Sequence, residues 1–158
     1  MRIRVLSIGK TNMPFVKEGM NEYLKRIGHY IKFNWEELPD IKNGGKMNQD
    51  LLKKEEGKRI LGKLLSSDLL ILLDENGKNL SSVAFAEWID HKLNYESGRD
   101  MCFVVGGAFG FSDEVYERAD FKLSLSKMTF SHQIIRVIFA EQLYRVLTII
   151  KGEQYHHV

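Results

Sequence analysis

Apolar residues along this chain recur with two different periods, and the two alternate from one end to the other. Over residues 1–9, Ile3, Val5 and Ile8 alternate with basic or small partners and Leu6 joins them, which predicts a buried strand ended by Gly9. Over residues 14–27 the spacing turns helical, with Phe15, Val16, Met20, Tyr23, Leu24 and Ile27 on one face and Gly28 as the stop. Residues 30–38 return to a period of two, Ile31, Phe33 and Trp35 against Lys32, Asn34 and Glu36, and Pro39 closes that strand. Residues 40–46 hold two glycines, two lysines and nothing apolar beyond Ile41, the composition of a mobile loop. Asp50 is placed to cap a helix running to about residue 65, with Leu51, Leu52, Ile60, Leu61 and Leu64 inward and the lysines outward.

The second half repeats the scheme in stronger form. Residues 69–73 are a continuous aliphatic run between polar flanks, the signature of a central strand buried on both faces. Ser81 or Ser82 opens a helix through Val83, Phe85, Ala86, Trp88, Ile89 and Leu93, ending near Gly98. Residues 101–105 form the next buried strand and run into Gly106, Gly107, Ala108, Phe109 and Gly110, after which Ser112, Asp113 and Glu114 start a short helix. A last strand over 121–125, a hydroxyl-rich turn over 126–131 and a strongly apolar helix stopped by Gly152 complete the chain. Strands alternating with helices, two strands being wholly apolar, predict a three-layer α/β/α domain with a mostly parallel sheet.

A length of 158 residues suits a single domain spanning 1–158, large enough for its own core. The one cysteine, Cys102, lies in an apolar run, so it reads as a small buried hydrophobe in a protein of a reducing compartment. The opening residues lack the pattern of a signal peptide and no apolar run reaches bilayer length, so the expectation is a soluble, cytoplasmic protein with no membrane partner. A net charge of +2 does not by itself announce nucleic-acid binding. Its distribution adds something: Lys42, Lys46, Lys53, Lys54, Lys58, Arg59 and Lys63 crowd one segment, which is either a solvated helix face or a surface for an anionic backbone.

Candidate chemistry concentrates toward the C-terminus. A strand feeding a helix through a hydroxyl-rich turn presents free N–H groups and side-chain oxygens to one point, which suits a small polar ligand. Gly106, Gly107 and Gly110 follow a buried strand but lack the Gly-x-Gly-x-x-Gly spacing of a dinucleotide turn; they serve either a tight crossing or a ligand contact. His132 and Arg136 are four apart and share a helix face, and Arg136, within an apolar helix, requires a carboxylate or an anionic ligand. Glu141 and Arg145 have the spacing of an intrahelical ion pair. The tail residues Tyr155, His156 and His157 read as a frayed terminus; adjacent histidines without a second ligand cluster make no metal site, so no metal is expected.

Taken together, the runs 104–110 and 123–132, then Arg136 and Val137, then 141–145 and the terminal Tyr155 and His156, closely resemble the ribosomal RNA large subunit methyltransferase H family. Residues 5–10 and 22–26 are similar to it as well, so the resemblance covers essentially the whole chain. One departure is Ser131, where that family often carries proline. The resemblance implies a SPOUT-class methyltransferase with a C-terminal deep trefoil knot, working as a homodimer with S-adenosylmethionine. It implies methylation of N3 of a pseudouridine in 23S rRNA on the assembled ribosome; the alternatives are a related knotted methyltransferase acting on tRNA and a ribosome-binding factor without activity. Carried over position by position, it implies that Leu73, Gly106, Leu125, Ser126, Lys127, Met128, Thr129 and Phe130 bind the cofactor. Beside it stands the expectation that His132, Arg136, Tyr155 and His156 form an RNA-facing catalytic rim, with Arg136 on phosphate, Tyr155 stacked on a base, and His156 or a water as base.

Overall fold

A computed structural model describes residues 1–96 and 98–157. Among the described residues five strands and five α-helices alternate: β1 (Ile3–Ile8), α1 (Pro14–Ile27), β2 (Phe33–Leu38), α2 (Gln49–Leu61), β3 (Leu69–Asn79), α3 (Ser82–Tyr95), β4 (Met101–Val105), α4 (Asp113–Arg118), β5 (Phe121–Ser124) and α5 (Ile134–Ile150). The sheet order is β2-β1-β4-β3-β5 and every pairing is parallel.

Alternation within the strands builds two cores, one on each face of the sheet. Ile3, Val5, Ile71, Met101, Phe103 and Val105 point to the face covered by α1, α3 and α5. Leu6, Ile8, Leu70, Leu72, Cys102 and Val104 point to the face covered by α2 and α4. The three-layer expectation therefore holds, with a wholly parallel sheet. Cys102 sits in the second core with its thiol pushed up to about 12 by burial. Iodoacetamide at neutral pH should label it only after denaturation, because the thiolate is the nucleophile; equally rapid labelling of folded protein would contradict this placement.

Several boundaries and faces differ from the sequence reading. Asn48, not Asp50, caps α2, its side-chain oxygen accepting from the Leu51 N–H at 2.8 Å. The buried positions of α2 are Glu56, Gly57 and Ile60, while Leu51 is exposed. Gly57 explains this choice: a Cβ there would lie 2.5 Å from the Ser112 hydroxyl oxygen and 3.2 Å from Val115, so bare backbone lets α2 close on α4. β3 continues well past its aliphatic run, and its register against β5 shifts between Leu73 and Lys78. Among the described residues no helix is long and apolar enough to cross a membrane.

Candidate active site

The carboxyl ends of β3, β4 and β5 open into a cleft of about 490 Å³, the edge at which parallel α/β sheets bind ligands. Its floor is Leu73 and Leu123, one side is the loop from Val105 to Phe111, and the other is the turn after β5. That turn is held by its own hydroxyls. Ser124 Oγ donates to the Ser126 carbonyl at 2.8 Å, Ser126 Oγ accepts from the Met128 N–H at 2.9 Å, and Ser131 Oγ accepts from the Ile134 N–H at 3.2 Å. Thr129 Oγ1 donates to Glu75 at 2.8 Å and the Asn79 amide to the Ser124 carbonyl at 3.2 Å, tying the turn to the extension of β3.

The glycines make the close approach that was one of the two roles left open above, and they also border the cleft. A Cβ on Gly106 would meet the Phe111 ring at 3.0 Å, and Gly106 and Gly107 also line the cleft. Gly110 has φ +82° and its N–H reaches back to the Gly107 carbonyl at 3.3 Å, making the tight turn that ends the loop. Across the cleft Tyr116 donates to Asp74 at 2.5 Å, and burial with the nearby carboxylate pushes its phenol up to about 12. Asp74, Glu75 and Tyr116 were not singled out from the sequence; only their position at and beyond the end of the aliphatic run could have flagged the first two.

Of the residues expected around a cofactor, Leu73, Gly106, Leu125, Ser126, Met128, Thr129 and Phe130 line this cleft, and Lys127, exposed, does not. Within one subunit the four residues expected on one rim are not together. His132 is exposed at the cleft edge. Arg136 is fully buried, which corrects its placement on an RNA-facing rim. Its guanidinium donates to the carbonyls of Ile8 at 2.6 Å and Gly9 at 2.9 Å and to Thr11 Oγ1 at 2.9 Å, and its Nε to the His132 carbonyl at 3.0 Å. Desolvation lowers its pKa, countered by Glu37 at 3.7 Å. With its donors directed at backbone and Thr11, it fastens α5 to the end of β1 and holds His132 in place.

Tyr155 and His156 dock on α5 and line no part of the cleft. Tyr155 donates to Glu141 at 3.1 Å beneath the Arg145 guanidinium, 4.7 Å from its ring centre, and Arg145 meets His156 Nδ1 at 3.2 Å. Glu141 and Arg145 form the anticipated ion pair at 2.5 Å. The tail is thus half-buried and anchored, in contrast to the frayed end that composition suggested. Among the described residues no cluster of three or more His, Cys, Asp or Glu stands ready for a metal ion.

The profile of a family described as "Predicted SPOUT methyltransferase" matches residues 1–156. The chain belongs to the SPOUT methyltransferase family. Among its relatives, the Ribosomal RNA large subunit methyltransferase H of Cytophaga hutchinsonii is 51% identical over 157 residues, covering 99% of this chain and 100% of that protein. The protein of the same name from Christiangramia forsetii is 48% identical, covering 99% of each. Among solved structures, the tRNA (m1G37) methyltransferase from Aquifex aeolicus aligns with a TM-score of 0.55 at 12% identity, over 100% of this chain and 76% of that one, a likeness of fold. This SPOUT protein is accordingly a methyltransferase, its methyl donor is S-adenosylmethionine, and membership implies the knot. The make-up of the cleft fits that donor: glycine backbone forms one wall, and apolar Leu73, Leu125 and Phe130 lie beside the hydroxyl-rich turn.

Proposed function

We propose that this SPOUT protein is a homodimeric enzyme that methylates 23S rRNA at N3 of a pseudouridine, in the cytoplasm and on the assembled ribosome. Full-length identity of 51% to a relative named for ribosomal RNA is the observation that carries the substrate. The cleft carries the chemistry. S-adenosylmethionine supplies a methyl group on a sulfonium, open to direct displacement by a ring nitrogen.

The protein's part is alignment and the exclusion of water. Leu73, Leu125 and Phe130 clamp the adenine, Gly106 lets backbone approach, and the Ser126 hydroxyl keeps the turn in its binding shape. His132, exposed at the rim and fixed through its carbonyl by buried Arg136, faces the RNA. Homodimer formation is supported by α5, which keeps Ile134, Ile135, Val137, Ile138, Ile149 and Ile150 only partly covered. In that dimer the docked tail of one subunit, with Tyr155 and His156, faces the cleft of the other.

Calorimetry with S-adenosylmethionine, followed by methyl transfer to ribosomes lacking the modification and to free tRNA, tests the reading. Binding with transfer to ribosomes alone is expected; transfer to tRNA alone would replace the substrate. Cutting the chain after Gln154 should leave cofactor affinity within about twofold and lower transfer by about 100-fold or more. Full activity after that cut would remove the tail from the active site.

A further inference from the structure

A second cavity of about 280 Å³ adjoins the cofactor cleft. Ile8 at the end of β1, Asp40, Gly44 and Gly45 of the following loop, and Glu56 of α2 wall it, while Gly107, Ala108 and His132 line both cavities. The two are therefore neighbouring rooms divided by the glycine loop. The second has the scale of one base and not of a whole cofactor.

Glu56 is the unusual member. It is only 8% exposed, and among the described residues its carboxylate enters no hydrogen bond or ion pair, although its helix carries several lysines. Two of those lysines pair elsewhere, Lys58 with Glu55 and Lys53 with Asp50, as does Lys63 just beyond the helix, with Glu36. Burial, reinforced by Asp40, raises the Glu56 pKa. Its oxygens lie 2.6 and 2.7 Å from where a Cβ on Gly107 would stand, so glycine at the dividing loop makes room for the carboxylate. A carboxylate largely shielded from solvent, without a donor from the described residues, faces the cavity, where a partner bearing N–H groups can reach it.

The surroundings select that partner. Two carboxylates repel phosphate from the interior, whereas Lys42 and Lys46 stand exposed on the loop whose glycines line the cavity. Phosphates flanking an extruded nucleotide suit those lysines, and its base suits the acceptor within. A C-linked pyrimidine such as pseudouridine carries hydrogen on both ring nitrogens, so it offers two such donors. We propose that the second cavity receives the target pyrimidine and that Glu56 accepts the hydrogen bond from a ring N–H of that base. This inference rests on the rRNA methyltransferase reading above and makes Glu56 a substrate-binding residue of that reaction.

The test uses the full chain with Glu56→Leu and Glu56→Gln. Both variants should bind S-adenosylmethionine within about twofold of the unaltered protein and unfold at the same or a higher temperature, since each removes an unpaired buried charge. Transfer to ribosomes should fall by about 100-fold in Glu56→Leu and by about tenfold in Glu56→Gln, which keeps an acceptor oxygen. In parallel, the Glu56 carboxylate signal in carbon-13 NMR, assigned by its loss in Glu56→Gln, should move saturably with millimolar pseudouridine monophosphate and stay fixed with the analogue methylated at both ring nitrogens. Glu56→Leu transferring within about threefold of normal, a signal indifferent to the nucleotide, or equal loss of transfer, cofactor affinity and stability would each overturn the proposal. An unaltered protein inactive on ribosomes whose Glu56 signal still responds to pseudouridine monophosphate would remove the rRNA reading and leave the base pocket standing.

Discussion

Arg136→Ala should lower the stability of the folded protein by about 3–5 kcal/mol, with cofactor binding and methyl transfer lost together as the population unfolds. The side chain is fully buried and donates to three backbone carbonyls and one hydroxyl, on segments more than a hundred residues away in sequence as well as on the turn just before its own helix. Truncation strands those acceptors in a place water does not reach, and the nearby Glu37 loses its counter-charge. Urea unfolding followed by tryptophan fluorescence reads the change as a lower midpoint at unchanged slope. Arg136→Lys should recover only part of the loss, because one ammonium on a flexible stem cannot reproduce a planar fork of donors. A stability within about 1 kcal/mol of normal, with transfer alone abolished, would return Arg136 to the role of an RNA contact.

Gly77→Ala carries the second large expectation, a loss of about 2–3 kcal/mol together with a weakened cofactor site. The added methyl would stand 2.7 Å from the Lys122 carbonyl carbon and 2.8 Å from the Leu123 backbone, atoms that no rotamer change can move aside. The obstruction falls where β3 and β5 shift register, just before the turn that shapes the cleft. Strand β5 must then separate from β3, taking Ser124 away from the Asn79 amide. Thermal unfolding and calorimetry on one preparation should show both effects. A variant with normal melting and normal affinity would mean that the two strands tolerate a wider spacing.

The fold was legible because burial on both faces of a parallel sheet leaves a coarse mark: the aliphatic runs of β3 and β4 and the helical spacing of α1 and α3 needed no tertiary information. The inward face of α2 was not, since Gly57 and Glu56 turn inward for reasons supplied by α4 and by the glycine loop, elements that lie elsewhere in sequence. The cleft residues were readable through their match to a known family pattern, and the hydroxyl-rich turn alone already pointed to a ligand. Arg136 misled for a physical reason. A lone cation in an apolar helix requires partners, but its spacing from His132 does not say whether those partners are phosphate or the backbone carbonyls of Ile8 and Gly9. Glu56 is inconspicuous in the sequence because among lysines it resembles one half of a surface ion pair, and only the closed structure reveals that among the described residues no lysine pairs with it.

The bonds from α5 to the end of β1 also govern how this molecule is born. β1 leaves the translating ribosome before the strands it pairs with, yet it lies between β2 and β4, and its terminal carbonyls wait for a guanidinium 128 residues later. Folding in the order of synthesis can pair β1 with β2, but the centre of the sheet closes only after β4 is made, and the clasp at its edge only after α5 has left the exit tunnel. The nascent chain therefore carries exposed aliphatic strands through most of its synthesis, which makes its yield in the cell depend on elongation rate and on chaperones that shield those strands.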